Sequence, residues 1–176
     1  MSIENKEVDS ELIKRYGISR IDALLAQFYA AFHERGGIWK PFRLATSHLF
    51  RRAAKKYKKG SPFDFGNLER FFCERYFGFS VGKYSYGTTQ FCRSYINIES
   101  IGAFCSFAPG ISITGINHPM TEISTHPFLY RRDLGYFIDR DRADLLDPAK
   151  NGKVVFGNDV WIGQDVIILP SVAIGN

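Results

Sequence analysis

Tyr95-Ile-Asn-Ile-Glu-Ser, Ile101-Gly-Ala-Phe-Cys-Ser, Phe107-Ala-Pro-Gly-Ile-Ser and Ile113-Thr-Gly-Ile-Asn-His118 follow one another in sixes. The count resumes as Phe156-Gly-Asn-Asp-Val-Trp, Ile162-Gly-Gln-Asp-Val-Ile, Ile168-Leu-Pro-Ser-Val-Ala and Ile174-Gly-Asn176. A large apolar residue opens every hexad: Tyr95, Ile101, Phe107, Ile113, Phe156, Ile162, Ile168 and Ile174. A helix would repeat its apolar face every 3.6 residues or so and a lone strand every two, so a strict six predicts a short strand and a corner, repeated. Each hexad forms one side of a coil, its opening residue points into a shared interior, and small residues or a glycine at positive φ turn the corner.

Either side of the repeat the pattern changes. Residues 1 to 10 are polar and read as frayed. Ile21, Leu24, Leu25, Phe28, Tyr29 and Phe32 recur at helical spacing behind Ser19 as N-cap, with Gly36-Gly37 as the stop. Pro41 opens a second helix through Phe42, Leu44, Ala45, Leu49, Phe50 and Ala53. Its end carries Arg51, Arg52, Lys55, Lys56, Lys58 and Lys59, and no acid lies between Arg35 and Asp64. This basic patch reads as a solvated helix end complementing the helix dipole, or as a site for an anionic partner. Residues 61 to 80, dense in aromatics, are expected to join the helices to the first coil and cover its open end. Val81-Gly-Lys-Tyr-Ser-Tyr86 is a good hexad, after which residues 87 to 94 slip the register. The sixes vanish again between Pro119 and Lys153, a long polar and aromatic excursion of the kind that is usually functional.

The 176 residues, 45% hydrophobic, suit one domain with a small appendage. The formal charge of +5 is modest, and no aromatic-interleaved motif accompanies the basic residues, so nucleic acid is disfavoured. No apolar run approaches the roughly 18 residues that span a bilayer, and the first residues are charged, so a cytoplasmic protein with no membrane span is expected. Cys73, Cys92 and Cys105 are odd in number and lack Cys-x-x-Cys spacing, which indicates neither a disulfide framework nor a zinc ribbon. Cys105 reads as core packing.

The hexads, the Asn117-His118-Pro119 triplet and the run Asn158-Asp-Val-Trp-Ile-Gly163 together resemble the hexapeptide-repeat acyltransferases. The closest resemblance is to the branch of xenobiotic and sugar O-acetyltransferases, over roughly residues 80 to 176. The resemblance implies a mainly β fold, a left-handed parallel β-helix; periodicity itself does not fix the hand. The domains expected are 1–80, a helical region and cap, and 81–176, the β-helix with an extruded loop at 119–153. It implies a homotrimer, and three and a half coils that cannot bury enough core alone lead to the same expectation. It also implies direct acetyl transfer from acetyl-CoA, a co-substrate, to a hydroxyl or amine of a sugar or other small acceptor, without a metal. His118 is the candidate general base, because an imidazole of ordinary pKa about 6.5 can take the acceptor's proton as the bond forms.

Asn117, His126 and Arg131 are the candidates for holding the acceptor; the alternative is that Asn117 shapes the turn and the other two are ordinary loop residues. Trp161 is placed for the acyl-donor pocket or for a subunit interface. The three convergent histidines of a γ-type carbonic anhydrase are missing, since the repeat region has only His118 and His126. Relatives continue for further coils beyond the point matching Asn176. The sequence therefore looks truncated at its C-terminus, with a non-catalytic trimeric scaffold lacking a complete CoA site as the alternative.

Overall fold

The computed structural model describes residues 9–58, 66–93, 96–115, 118–134, 138–142, 145 and 152–175. Four helices come first: α1 (Ser10–Tyr16), α2 (Arg20–His33), α3 (Lys40–Ala54) and α4 (Asn67–Phe72), the last running on as a π-helical turn over Cys73–Phe77. The cap of α2 is the one expected: Ser19 Oγ accepts the Asp22 amide at 3.1 Å and donates to the Asp22 carboxylate at 2.7 Å. Pro41 sits in the first turn of α3, where its missing N–H costs nothing. The sequence reading missed α1. Asp9 and Ser10, expected to be frayed, are its N-cap and first residue, and Gly17 closes it in the left-handed conformation.

Eight short strands follow: β1 (Ser80–Val81), β2 (Ile98–Ile101), β3 (Ser106–Phe107), β4 (Ser112–Ile113), β5 (Val154–Phe156), β6 (Trp161–Ile162), β7 (Ile167–Ile168) and β8 (Ala173–Ile174). All their pairings are parallel, in three sheets of order β1-β2-β5-β8, β3-β6 and β4-β7. From β2 onward the chain visits these sheets in rotation, so each circuit lays one coil beside the last. The register places opener on opener: Ile101 beside Phe156, Phe107 beside Ile162, Ile113 beside Ile168, and Phe156 beside Ile174. Ile101, Phe107, Ile113, Phe156, Ile162 and Ile168 are buried, each worth about 1.5–3 kcal/mol relative to exposure. Tyr95, the first opener, lies outside the described residues. Among the described residues more lie in helices than in strands, so the fold is mixed rather than mainly β by content; a coil side needs only two paired residues before it turns.

The corners are turned differently from the expectation. Positive φ falls at the fourth place of the hexad, and side-chain-bearing residues adopt it at Tyr84, Phe104, Asp159, Asp165 and Ser171. Of the glycines in second place, Gly175 does take positive φ, whereas Gly82 and Gly102 serve close approach instead. A Cβ on Gly102 would stand 2.2 Å from the Gly157 carbonyl oxygen, and one on Gly82 would stand 2.4 Å from the Ala103 nitrogen. The register slip is a 3₁₀ turn, Thr88–Phe91, whose Phe91 ring fills the core against Phe107 and Phe156 at centroid distances of 5.2 and 6.2 Å.

α4 lies against the first coil. Leu68, Phe71 and Phe72 are buried, and Arg70 Nε donates to the carbonyl of Val81 at 2.7 Å, satisfying an acceptor on the sheet's outer strand. Two charges of the basic patch are opposed in space, although none is along the chain. Lys56 Nζ reaches the buried Asp22 at 3.3 Å and Lys58 Nζ reaches Glu69 at 3.5 Å, acids supplied by other elements. All three cysteines are buried and free, with the Cys73 and Cys92 sulfurs 3.4 Å apart. Burial, with the Cys92 contact behind it, pushes the Cys73 thiol well up. Among the described residues no helix is long and apolar enough to cross a membrane.

Candidate functional site

β4 ends the third side of a coil at Ile113, and His118 follows as the chain leaves the stack. Its Nδ1 lies 2.9 Å from the carbonyl oxygen of Thr125 and 3.2 Å from the hydroxyl of Tyr130. A backbone carbonyl can only accept, so in the neutral ring Nδ1 carries the proton and Nε2 carries the basic lone pair. The residue is exposed, whereas Tyr130 is buried, so the imidazole is fixed at Nδ1.

The loop that supplies these partners is tied to itself. A 3₁₀ turn, Pro127–Leu129, brings Tyr130 back toward His118. The Tyr130 carbonyl accepts from the Arg142 amide at 3.1 Å, and Arg142 Nη1 donates to Glu122 at 3.3 Å. Where the chain returns to the stack, Gly152 N donates to Ser171 Oγ at 2.5 Å and its carbonyl accepts from Ser171 N at 2.8 Å.

The other sequence candidates are less closely gathered. His126 directly follows Thr125, but its Nδ1 accepts from the Phe128 amide at 3.2 Å and its ring leans on Phe128. Arg131 directly follows Tyr130, and its guanidinium grips Asp133 at 3.0 and 2.5 Å. That hydrogen bond holds Arg131 above and Asp133 below their ordinary pKa values. Trp161 stands on β6 beside Ser106, 80% exposed on the outer face of its sheet. Asn117 lies outside the described residues. Sequence reasoning missed Thr125 and Tyr130; nothing in their spacing marks them, because a backbone carbonyl leaves no trace in residue type and Tyr130 is one aromatic among several in its loop. Among the described residues no cluster of His, Cys, Asp or Glu is arranged to hold a metal.

Chemically, the arrangement offers a base at Nε2 whose conjugate acid is stabilised at Nδ1. An imidazolium formed at Nε2 would keep its Nδ1 proton on the Thr125 carbonyl, and a charged donor strengthens such a bond.

The chain is similar to several acetyltransferases. It is 40% identical over 78 residues, 43% of this chain and 42% of the relative, to a "Probable macrolide acetyltransferase" of Lysinibacillus sphaericus. It is 34% identical over 112 residues to the chloramphenicol acetyltransferase of Agrobacterium fabrum, and 31% identical over 114 residues to that of Klebsiella aerogenes. Each of these alignments covers 54% of this chain and 52% of the relative. The chain spans about half the length of the curated relatives it matches. No family model matches it. No solved structure matches it either.

Proposed function

We propose that this chain is a hexapeptide-repeat acyltransferase, its coils wound left-handed, that moves an acetyl group from acetyl-CoA to a hydroxyl of a small or saccharide acceptor with His118 as general base. The observation that carries this reading is the bond from His118 Nδ1 to the Thr125 carbonyl at 2.9 Å, which makes Nε2 the basic nitrogen. Similarity to proteins named chloramphenicol and macrolide acetyltransferases supports the acyl-transfer class. In the reaction, Nε2 takes the acceptor proton as its oxygen bonds to the thioester carbonyl carbon. The tetrahedral intermediate then collapses, the carbon–sulfur bond breaks, and the imidazolium returns the proton to the leaving thiolate, with no acyl-enzyme formed.

Asn117, His126 and Arg131 are proposed acceptor contacts, with Arg131 giving up Asp133 to reach an anionic or polyhydroxyl group. Trp161 is proposed either for the donor pocket or for a face shared between copies in a homotrimer. Exposed Trp161, Ile167 and Leu169 on the outer faces of the coils support a partner chain there.

The test is release of free thiol from acetyl-CoA against a panel of sugar and antibiotic hydroxyls and amines, with parent and His118→Ala side by side. The reading expects turnover with at least one acceptor and a loss of about 10²- to 10⁴-fold on substitution. Absence of release with every acceptor would favour the non-catalytic scaffold, and turnover unchanged by the substitution would remove His118 as base.

A further inference from the structure

The helical hairpin packs against the rest of the protein with its small residues. α2 buries Ala23, Ala26 and Ala30 and turns outward Ile21, Leu24 and Phe28, which share one stripe at helical spacing. Ile21 is 78% exposed and Phe28 61%. α3 and the turn before it do so in part: Ala53 and Ala54 are buried together with the large Phe50, whereas Ile38, Phe42 and Leu49 are exposed along a second stripe. The two helices lie side by side, with Tyr29 stacked on Phe50 at 4.6 Å and Phe32 on Phe42 at 5.7 Å, and both also contact α4. Ordinary amphipathic helices do the reverse, burying their large residues.

Charge accompanies this apolar surface, and it has one sign. Between Ser19 and Lys58 there are nine Lys or Arg residues against two acids, Asp22 and Glu34. Asp22 is buried and bonded to Tyr57, Ser19 and Lys56, so it adds no negative charge to the surface. Arg20, Arg35, Lys40, Arg51, Arg52 and Lys55 are all exposed. Arg35 lies over the rings of Phe32 and Trp39, at 5.9 and 5.3 Å, which keeps a cation beside the aromatic end of the hairpin.

We propose that the outer face of the α2–α3 hairpin docks the protein on an anionic lipid surface, with Ile21, Leu24, Phe28, Ile38, Phe42 and Leu49 entering the acyl boundary and the surrounding cations meeting headgroups. A lipid interface supplies in one place both an apolar layer and negative charge, the two things this face lacks a partner for. A second copy of the chain supplies the apolar half only: pressing two such faces together would crowd like charges into a drying interface. The helices lie on the surface rather than cross it. The inference is independent of the acyl-transfer reading, because none of its residues belongs to the proposed site.

The experiment is co-sedimentation of the full chain with vesicles of phosphatidylcholine alone and of phosphatidylcholine with roughly a quarter phosphatidylglycerol, at low and at about 0.5 M salt. Expected is binding to the anionic vesicles that falls at high salt and is near background on neutral ones. The pair Phe28→Asp/Phe42→Asp should weaken binding at least about tenfold, and so should Arg51→Glu/Arg52→Glu, which leaves the apolar stripes intact. Circular dichroism melts check that both variants fold, and because the two pairs act on different chemistry, a folding failure in one leaves the other as the test. Three results would overturn the proposal: no co-sedimentation, binding indifferent to both pairs, or self-association of the parent in the absence of lipid that Phe28→Asp/Phe42→Asp abolishes. The last would assign the face to a second copy.

Discussion

Replacing Gly102 by Ala tests whether the coils are stacked as closely as the register implies. The added Cβ would lie 2.2 Å from the carbonyl oxygen of Gly157, 2.5 Å from its carbon and 2.8 Å from the Asn158 nitrogen, all backbone atoms that cannot rotate away. Ordinary contact begins near 3.4 Å, so the two coils must part locally by more than an ångström. Three backbone amides hydrogen-bond across that seam beside Gly102: Gly102 N to Phe156 O at 2.9 Å, Ala103 N to Asn158 Oδ1 at 2.9 Å, and Asp159 N to Ala103 O at 2.8 Å. Losing or stretching these, at about 0.5–1.5 kcal/mol each, gives a cost of about 2–4 kcal/mol. In a protein of this size that lowers the melting temperature by about 5–15 °C. Gly163 is the internal control: it has the same second place in its hexad, its φ is not positive, and a Cβ there meets nothing within 4 Å. Gly163→Ala should therefore change stability by no more than about 0.5 kcal/mol. Thermal and urea unfolding followed by circular dichroism measure both. A Gly102→Ala protein that melts with the parent, or a Gly163→Ala protein that loses as much, would refute the close-stacking argument.

Four further outcomes are expected. Tyr130→Phe should lower turnover by less than His118→Ala does, because the Thr125 carbonyl still holds Nδ1; an equal loss in steady-state assays would mean that Tyr130 acts on substrate directly. His33 is half-buried, and burial, only partly offset by its bond to the Cys92 carbonyl, holds its pKa below the ordinary value. The unfolded chain thus takes up its proton first, and stability present above the ordinary histidine pKa is lost as pH falls toward the folded value; His33→Gln should flatten that slope in melts between about pH 7 and 5. Cys73, Cys92 and Cys105 should resist a thiol reagent in the native protein and react on unfolding, and fast native reaction would contradict their burial. Light scattering at micromolar concentration should give the mass of a trimer, and a stable monomer would remove that part of the proposal.

The coil was legible because its information is carried by residue type at a fixed period. Ile101, Phe107, Ile113, Phe156, Ile162 and Ile168 had to be apolar to be buried, and no other regular structure repeats every six. The corner was less legible. Glycine in second place suggested positive φ, which Gly175 bears out, whereas Gly82 and Gly102 are small so that the next coil can approach; Phe104, Asp159 and Asp165 take the left-handed conformation at a cost of about 1–2 kcal/mol each that stacking and ladder bonds offset. Capping made α2 readable, and Asp9 with Gly17 carried the same signals for α1 over a stretch too short for periodicity to register.

The site divides along the same line. His118 stood out because an imidazole closes a hexad where the repeat stops, a feature of residue type and place. What orients the imidazole is a carbonyl contributed by Thr125 and a hydroxyl from Tyr130, brought back by a loop held through backbone and side-chain bonds of no fixed spacing. Likewise the charge of Lys56 and Lys58 looked unopposed along the chain and is met in space by Asp22 and Glu69. Local sequence reports what a residue needs, and only the fold reports what it is given. The outer face of α2 and α3 is where need and supply still differ: large apolar residues point away from the core beside cations that their own hairpin does not balance, and an anionic interface is the environment that answers both.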